Sequence, residues 1–312
     1  MEPLKLIKLI APSVTFCGVP CVDDLATLDA DVAIIGAPHG TPYTPGRASY
    51  SANSPAALRS ALSWYSANPE QFDFDTMTEV LGGASVVDCG DVAGDLLDGA
   101  KNREQIERAS SNILDRGTVP ILFGGDDSVP IPFFSAYAAV GPITIVQVDA
   151  HIDWRHEVHG ITHGYSSTMR RASEMNHIQN MIQIGARGPG SARRQELADA
   201  KAWGSHIFSA RDVAKNGIQN ALERVPEDAR VILSIDVDGL DPSLVPGVSL
   251  PAFGGLGYQH MMDLIMGVAD RSKIVGAAFV EFIPENDIQG LGARAISRLA
   301  SVVIAAIGQQ KQ

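Results

Sequence analysis

The stretch Pro142-Ile143-Thr144-Ile145-Val146-Gln147-Val148-Asp149-Ala150-His151-Ile152-Asp153 decides the fold. Its first seven residues are mostly apolar and β-branched, the composition of a strand buried on both faces. Asp149, His151 and Asp153 follow at alternate positions, which share one face if extended geometry continues past Val148. Three metal-ligand side chains would then point together off a strand end, where open parallel α/β sheets place their ligands. The pattern returns at Asp236-Val237-Asp238, again closing an apolar strand, Arg230-Val231-Ile232-Leu233-Ser234-Ile235, and leading into Gly239-Leu240-Asp241-Pro242. Capping or turn aspartates would explain either stretch alone. D-x-H-x-D together with D-x-D, both after strands, implies one shared site.

Working outward, Asp31-Val32-Ala33-Ile34-Ile35-Gly36 reads as the first buried strand and Ala37 to Pro45 as a loop. Ser54-Pro55 opens a helix, with the serine as N-cap and the proline at the first helical position. A strand follows at Ala84 to Asp88, then a helix from Ala100 to Arg116 stopped by Gly117. Val119 to Phe123 is a strand running into Gly124-Gly125-Asp126-Asp127-Ser128, before a helix carrying Phe133, Phe134 and Tyr137. Strand-length apolar runs recur at Met181 to Gly185, His206 to Ser209, Val231 to Ile235 and Ile274 to Val280, separated by helical patterns such as Ser191 to Trp203 and Gln259 to Ala269. Eight strands alternating with helices predict a parallel sheet covered on both faces. Right-handed crossovers bring the strand C-termini, and with them every acidic motif, to one edge.

The 312 residues carry a formal charge of −12, against nucleic-acid binding and compatible with a cationic small molecule. Cys17, Cys21 and Cys89 are too few for a disulfide framework and imply a reducing compartment; Cys17 and Cys21 read as buried thiols. The N-terminus does not qualify as a secretory signal, and Leu299 to Ile307 is half the length needed to cross a bilayer, so a cytoplasmic protein with no membrane partner is expected.

Asp126 and Asp127, then Asp149, His151 and Asp153, then Asp236 and Asp238 suffice for two ions. Carboxylates with one imidazole suit Mn2+, with Ni2+ conceivable, and the absence of thiolates argues against structural zinc. Two ions sharing ligands lower the pKa of a water between them and make a nucleophile.

These residues resemble the ureohydrolases, the family of arginase, agmatinase and guanidinobutyrase. The resemblance rests on Gly36-Ala37-Pro38 with Pro45-Gly46-Arg47, the Ser54-Pro55-Ala56-Ala57-Leu58-Arg59 helix start, Gly124-Gly125-Asp126-Asp127-Ser128, the two metal motifs, His163-Gly164, and Val280-Glu281 followed by Pro284. It implies a three-layer α/β/α fold with an eight-stranded parallel sheet, a single catalytic domain over 31–312, and an N-terminal extension, 1–30, packed on that domain or on a neighbouring subunit. It implies two divalent ions, a cationic guanidino substrate cleaved to urea and an amine, and a trimeric or hexameric assembly. By the same resemblance Asp149 and Asp236 bridge the ions, Asp153 completes one shell and orients the nucleophile, and His151 and Asp238 complete the other. His163 is the proton-transfer histidine and Glu281 pairs with the guanidinium. The family's glycine-rich motif usually ends Gly-Gly-Asp-His-Ser, with the histidine as a ligand; here that position is Asp127, an anion whose oxygen lies as many bonds from Cα as an imidazole Nδ1, so that it can still reach the ion, and whose added charge raises the pKa of the shared water.

Of the remaining histidines, His177, His206 and His260 read as solvent-facing or second to the site, while His39, His156 and His159 sit in loops at the active edge. The ten-residue interval from Asp153 to His163 matches agmatinases and has no Ser/Asn-rich stretch for an amino-acid head group, so arginine is expected to be a poor substrate. Trp154 either packs against the sheet or offers its face to an alkylated cation, which would favour guanidine, a dimethylguanidine or a metformin-type biguanide over agmatine or guanidinobutyrate. Two other readings stay open: a weakly active or non-catalytic subunit paired with an active paralogue, motivated by Asp127, and an amide or formimino hydrolase on the same fold.

Overall fold

The apolar runs become strands in the computed structural model, which describes residues 7–44, 46–63, 70–190 and 192–311. In chain order these are β1 (Leu9–Ile10), β2 (Val32–Ala37), β3 (Phe72–Asp73), β4 (Thr78–Glu79), β5 (Val86–Val92), β6 (Val119–Gly124), β7 (Ile143–Val148), β8 (Ile178–Ala186), β9 (His206–Ser209), β10 (Arg230–Asp236) and β11 (Lys273–Val280). β3 and β4 form a separate ribbon; the others make one sheet in the order β1-β5-β2-β6-β11-β10-β7-β8-β9. From β5 to β9 every pairing is parallel, so the eight expected parallel strands are present. The sheet has a ninth strand, β1, antiparallel to β5. Two residues carry no periodicity to read; they form a strand because the β5 edge offers unpaired N–H and C=O groups.

Alternate residues of each strand face opposite layers. Val32, Ile34, Val146 and Val148 join one apolar cluster, while Ala33, Ile35, Ile143 and Ile145 join the other. The first layer contains α1 (Ser54–Ala61), α6 (Ala210–Asn216), α7 (Gln219–Leu222), α8 (Tyr258–Arg271) and α9 (Leu291–Gln309), through residues such as Leu58, Val213, Leu222, Met261 and Leu299. The second contains α2 (Gly99–Leu114), α3 (Pro130–Ser135), α4 (Thr168–Ala172) and α5 (Arg194–Trp203), through Ile106, Phe133, Met169 and Ala200. α9 is long and apolar enough to cross a bilayer, more so than the run at Leu299 to Ile307 suggests, but 83% of its apolar window is buried inside the fold.

Several local expectations shift. Ser54 is the first residue of α1 rather than its cap: the chain enters through a turn closed by Ser54 N–H donating to Ser51 C=O, which leaves Asn53 in helical geometry ahead of it. Asp98 caps α2 by accepting from Lys101 N–H at 2.9 Å. The start of the Ser191 to Trp203 pattern lies outside the described residues, as do Pro45 and residues 1–6; the helix runs Arg194–Trp203. Cys17 and Cys89 are buried, which pushes both thiols up to about 12, but Cys21 is exposed, contrary to expectation, because it bridges to Asp88 at the sheet's margin.

One buried ionic node ties these parts together. Arg59 of α1, 1% exposed, donates to both oxygens of Asp88 on β5 at 2.8 and 3.0 Å and to Asp91 at 2.6 Å. Asp88 also accepts from the backbone N–H of Phe16 and Gly90, each at 3.0 Å. The segment before β2, the sheet and α1 are thereby fixed to one another.

Candidate metal centre and substrate cavity

Strand order assembles the site. The neighbours β6, β11, β10 and β7 lie side by side, and their C-terminal ends carry Asp126 and Asp127, then Glu281, then Asp236 and Asp238, then Asp149, His151 and Asp153. Segments distant in sequence meet because the central strands are filled last.

Extended geometry does not persist beyond the strands. Asp149 Oδ1 accepts from His151 N–H at 2.5 Å, Asp236 Oδ1 from Asp238 N–H at 2.9 Å and Asp126 Oδ1 from Ser128 N–H at 3.0 Å. Each is a side-chain-closed turn of the kind aspartate favours. Asp153 then adopts a positive φ of 49°. The ligand side chains converge through turns rather than through strand alternation.

The ligand atoms of Asp127, Asp149 and Asp236 lie within 4.8 Å of one another, as do those of Asp149, His151 and Asp238. Asp149 is common to both groups. His151 Nδ1 is 3.2 Å from Asp149 Oδ1 and from Asp238 Oδ2. Asp153 belongs to neither triplet, but its charge presses on Asp127 and Asp149. Burial, and then mutual repulsion, push Asp127, Asp149 and Asp236 well above the ordinary carboxylate range. Burial would lower His151, but its hydrogen bond to Asp238 and the surrounding carboxylates raise it to about 9.

The residues present fit two divalent cations. Asp127 is 2% exposed, and neither of its carboxylate oxygens has a hydrogen-bond partner among the described residues. An unmatched buried charge of this kind is costly, and so is the crowding of its neighbours. Hard oxygen-seeking cations relieve both. Asp127 itself is fixed by its backbone: its N–H donates to Glu281 Oε1 at 2.8 Å and its C=O accepts from the Thr168 hydroxyl. Gly125 lets this loop pass the backbone of His39, since a Cβ there would overlap the His39 carbonyl oxygen.

Glu281 turns off β11 with a φ of 68°, a strained conformation for a side chain other than glycine. Its carboxylate, 6% exposed, also accepts from the Tyr50 hydroxyl at 2.7 Å. Burial and then the charge of Asp126 raise its carboxyl to about 8. Glu281 lines a cavity of about 530 Å³ that also contains Asp127, His151, Asp153, Asp236 and Asp238. Tyr43, Tyr50 and Tyr165 form an aromatic wall in it; the ring centroid of Tyr165 lies 4.4 Å from that of Tyr43 and 6.0 Å from that of Tyr50.

His163 is placed differently from expectation. It is not among the described residues lining this cavity, and its Nδ1 is 2.8 Å from the neighbouring Thr162 hydroxyl. Burial, then Arg103 and Arg171, lower its pKa. The lining histidine from that loop is His159. His156 approaches Arg171, and His39 is buried and does not line this cavity among the described residues; burial lowers it to about 4. Trp154 contributes to the cavity wall but is 3% exposed, packs tilted at 58° against Trp203 with ring centroids 6.2 Å apart, and donates its indole N–H to Gln183 at 2.9 Å.

The arginase family profile matches residues 30–306. The chain belongs to the arginase family. It is 31% identical over 304 residues to an agmatinase of Citrobacter koseri, covering 94% of this chain and 92% of that protein. It is 28% identical over 302 residues to a guanidinobutyrase of Pseudomonas aeruginosa, covering 93% and 92%. Among solved structures, the proclavaminate amidino hydrolase of Streptomyces clavuligerus superposes with a TM-score of 0.83 at 25% identity, covering 99% of this chain and 100% of that one. This arginase-family enzyme thus has the fold expected of its motifs. Tyr50, Tyr43 and Tyr165, which shape the cavity, had no sequence signal beyond their position in active-edge loops. Gln147 had one: a lone amide in an apolar strand.

Proposed function

We propose that this arginase-family enzyme hydrolyses a guanidino C–N bond, releasing urea and an amine. The supporting observation is the pair of ligand triplets sharing Asp149, set in one cavity with the buried carboxylate of Glu281. Asp127, Asp149, His151, Asp153, Asp236 and Asp238 hold two divalent ions, Mn2+ or Ni2+. When bound, the ions supply Lewis acidity and a water acidic enough to attack near neutral pH.

Glu281 receives the guanidinium, whose planar fork matches a carboxylate that Tyr50 and the Asp127 N–H hold in place. Asp153 accepts a hydrogen bond from the attacking water and aims it at the guanidinium carbon. The aromatic wall of Tyr43, Tyr50 and Tyr165 excludes water and presents ring faces to the cation. His163 delivers the proton to the leaving amine, for which its ring must turn from Thr162 towards the cavity.

Asp127 stays within the cluster, which supports a working centre over a non-catalytic subunit. Trp154 is 3% exposed, so almost none of its ring face is open to a cation, and it gives no support to the alkylated-cation reading. Arg155 is the sole lysine or arginine lining the cavity among the described residues, and its guanidinium lies 3.8 Å from its nearest ion-pair partner, Glu196. That cation favours an ω-guanidino carboxylate such as guanidinobutyrate, with agmatine as the second reading. The proposal includes a catalytic domain over 31–312 and a trimeric or hexameric assembly in a reducing cytoplasm. The test is urea release by protein reconstituted with Mn2+ or Ni2+, offered guanidinobutyrate, agmatine, arginine, guanidine and dimethylguanidine. No urea from any of them, with two ions bound, refutes the reading.

A further inference from the structure

Two glutamines interrupt adjacent buried strands at the same level. Gln147 of β7 and Gln183 of β8 are register partners, and each is 1% exposed. A buried primary amide needs its two donors and its acceptor matched, and the identity of its partners fixes which way it faces.

The order can be worked out from Trp154. An indole N–H can only donate, so the Gln183 atom 2.9 Å from it is the carbonyl oxygen, which also accepts from the Ser205 hydroxyl at 2.8 Å. The Gln183 amide nitrogen then faces the other way and donates to the Ile152 carbonyl at 2.9 Å and to Gln147 Oε1 at 2.5 Å. With its oxygen so engaged, Gln147 turns its nitrogen to the metal motif and donates to Asp149 Oδ2 at 2.6 Å and Asp153 Oδ2 at 3.1 Å. Every amide hydrogen in the chain is used. Reversing either amide would set an oxygen against two carboxylates or a donor against the indole.

Gln183 also grips the loop on both sides of Asp153, through the Ile152 carbonyl and the Trp154 indole. This is where the backbone takes its positive φ.

We infer that Gln147 and Gln183 are positioning residues, and that Trp154, acting through them, sets the direction of an amide relay that holds Asp149 and Asp153 in metal-binding geometry. The inference rests on the reading that these carboxylates bind the ions. It assigns the Trp154 indole N–H a role behind the metal centre, besides the residue's place in the cavity wall.

The test is Mn2+ titration of metal-stripped protein. Compared are the wild type, Gln147→Met, Trp154→Phe and, as control, Trp203→Phe, which trims the indole packed on Trp154 but whose own N–H bonds the Ser173 carbonyl. Loss of a group orienting a metal ligand weakens affinity by roughly 10–100-fold. That loss is expected for Gln147→Met and, in the same direction, for Trp154→Phe, while Trp203→Phe stays within about twofold of wild type. Thermal midpoints after chelation establish that the variants are folded. If Trp154→Phe does not fold, Gln183→Met, which cuts the same link and leaves both indoles, is read in its place. Wild-type affinity in Gln147→Met or in the Trp154 link variant, or an equal loss in Trp203→Phe, overturns the relay while leaving the functional reading standing. A wild type that binds no Mn2+ overturns both.

Discussion

Glu281→Gln separates guanidinium recognition from metal binding, and its effect can be worked from the contacts. The glutamate accepts from Tyr50 and from the Asp127 N–H, and that N–H can only donate. A glutamine here must give its oxygen to Asp127 and point its NH2 towards Tyr50 and the cavity. The guanidinium then loses the negative charge and meets a donor where it met an acceptor. Cutting one partner from a buried, hydrogen-bonded charge pair costs about 2–5 kcal/mol. With about 1.4 kcal/mol per factor of ten, kcat/KM is expected to fall by roughly one and a half to three and a half orders of magnitude, with Mn2+ content unchanged. Tyr50→Phe removes one donor from the same carboxylate and should cost less, about 1.5–3 kcal/mol, the range for a hydrogen bond to a charged group. The assay is steady-state urea release alongside metal analysis. A Glu281→Gln enzyme within threefold of wild type, or a Tyr50→Phe enzyme more impaired than Glu281→Gln, would refute this account.

Asp149→Ala, which removes the residue common to both triplets, should leave neither ion bound at stoichiometric Mn2+; calorimetric titration showing two wild-type sites would contradict that. Asp127→His replaces one anionic donor by a neutral one and should keep two ions while moving the acid limb of the pH–rate profile downwards; an unmoved limb and unaltered metal preference would remove Asp127 from the ligand set. His163→Ala should retain metal and lose about 10²–10⁴ in turnover, and loss of metal instead would make His163 a ligand. Burial depresses His39 from 6.5 to about 4, so its contribution is present above pH 6.5 and lost as pH falls towards 4, up to about 3 kcal/mol. In urea titrations His39→Leu should therefore lose less stability than wild type between pH 7 and 4, and parallel pH dependences would speak against it.

Much of the fold could be read because parallel strands buried on both faces leave continuous apolar runs, and the helices between them leave helical patterns. What escaped was set by tertiary context. β1 exists because an edge was open, and Cys21 is exposed because the chain there lies at the sheet's margin. The site followed the same division. Aspartates after strands could be found by spacing, whereas Tyr50 reaches Glu281 from 231 positions away in sequence, and no local pattern marks that meeting. His163 was expected from its motif, but the direction of its ring, towards Thr162, depends on a loop without periodicity.

The instructive difference lies in why the ligand spacing is two. Strand alternation would put Asp149, His151 and Asp153 on one face, but β7 has ended at Val148. In each motif the first aspartate instead closes a turn onto the N–H two residues on: Asp126 onto Ser128, Asp149 onto His151, Asp236 onto Asp238. The same interval therefore arises from turn chemistry, which explains why a period-two pattern continues where no strand does. Capping and ligation are then not competing readings of these aspartates. In Asp236 one oxygen closes the turn and the other is left for an ion, while in Asp149 the second oxygen is held by Gln147. A carboxylate fixed through its own turn loses little further freedom when a cation binds, so the residues that end the strands are also the ones best prepared to hold the metals.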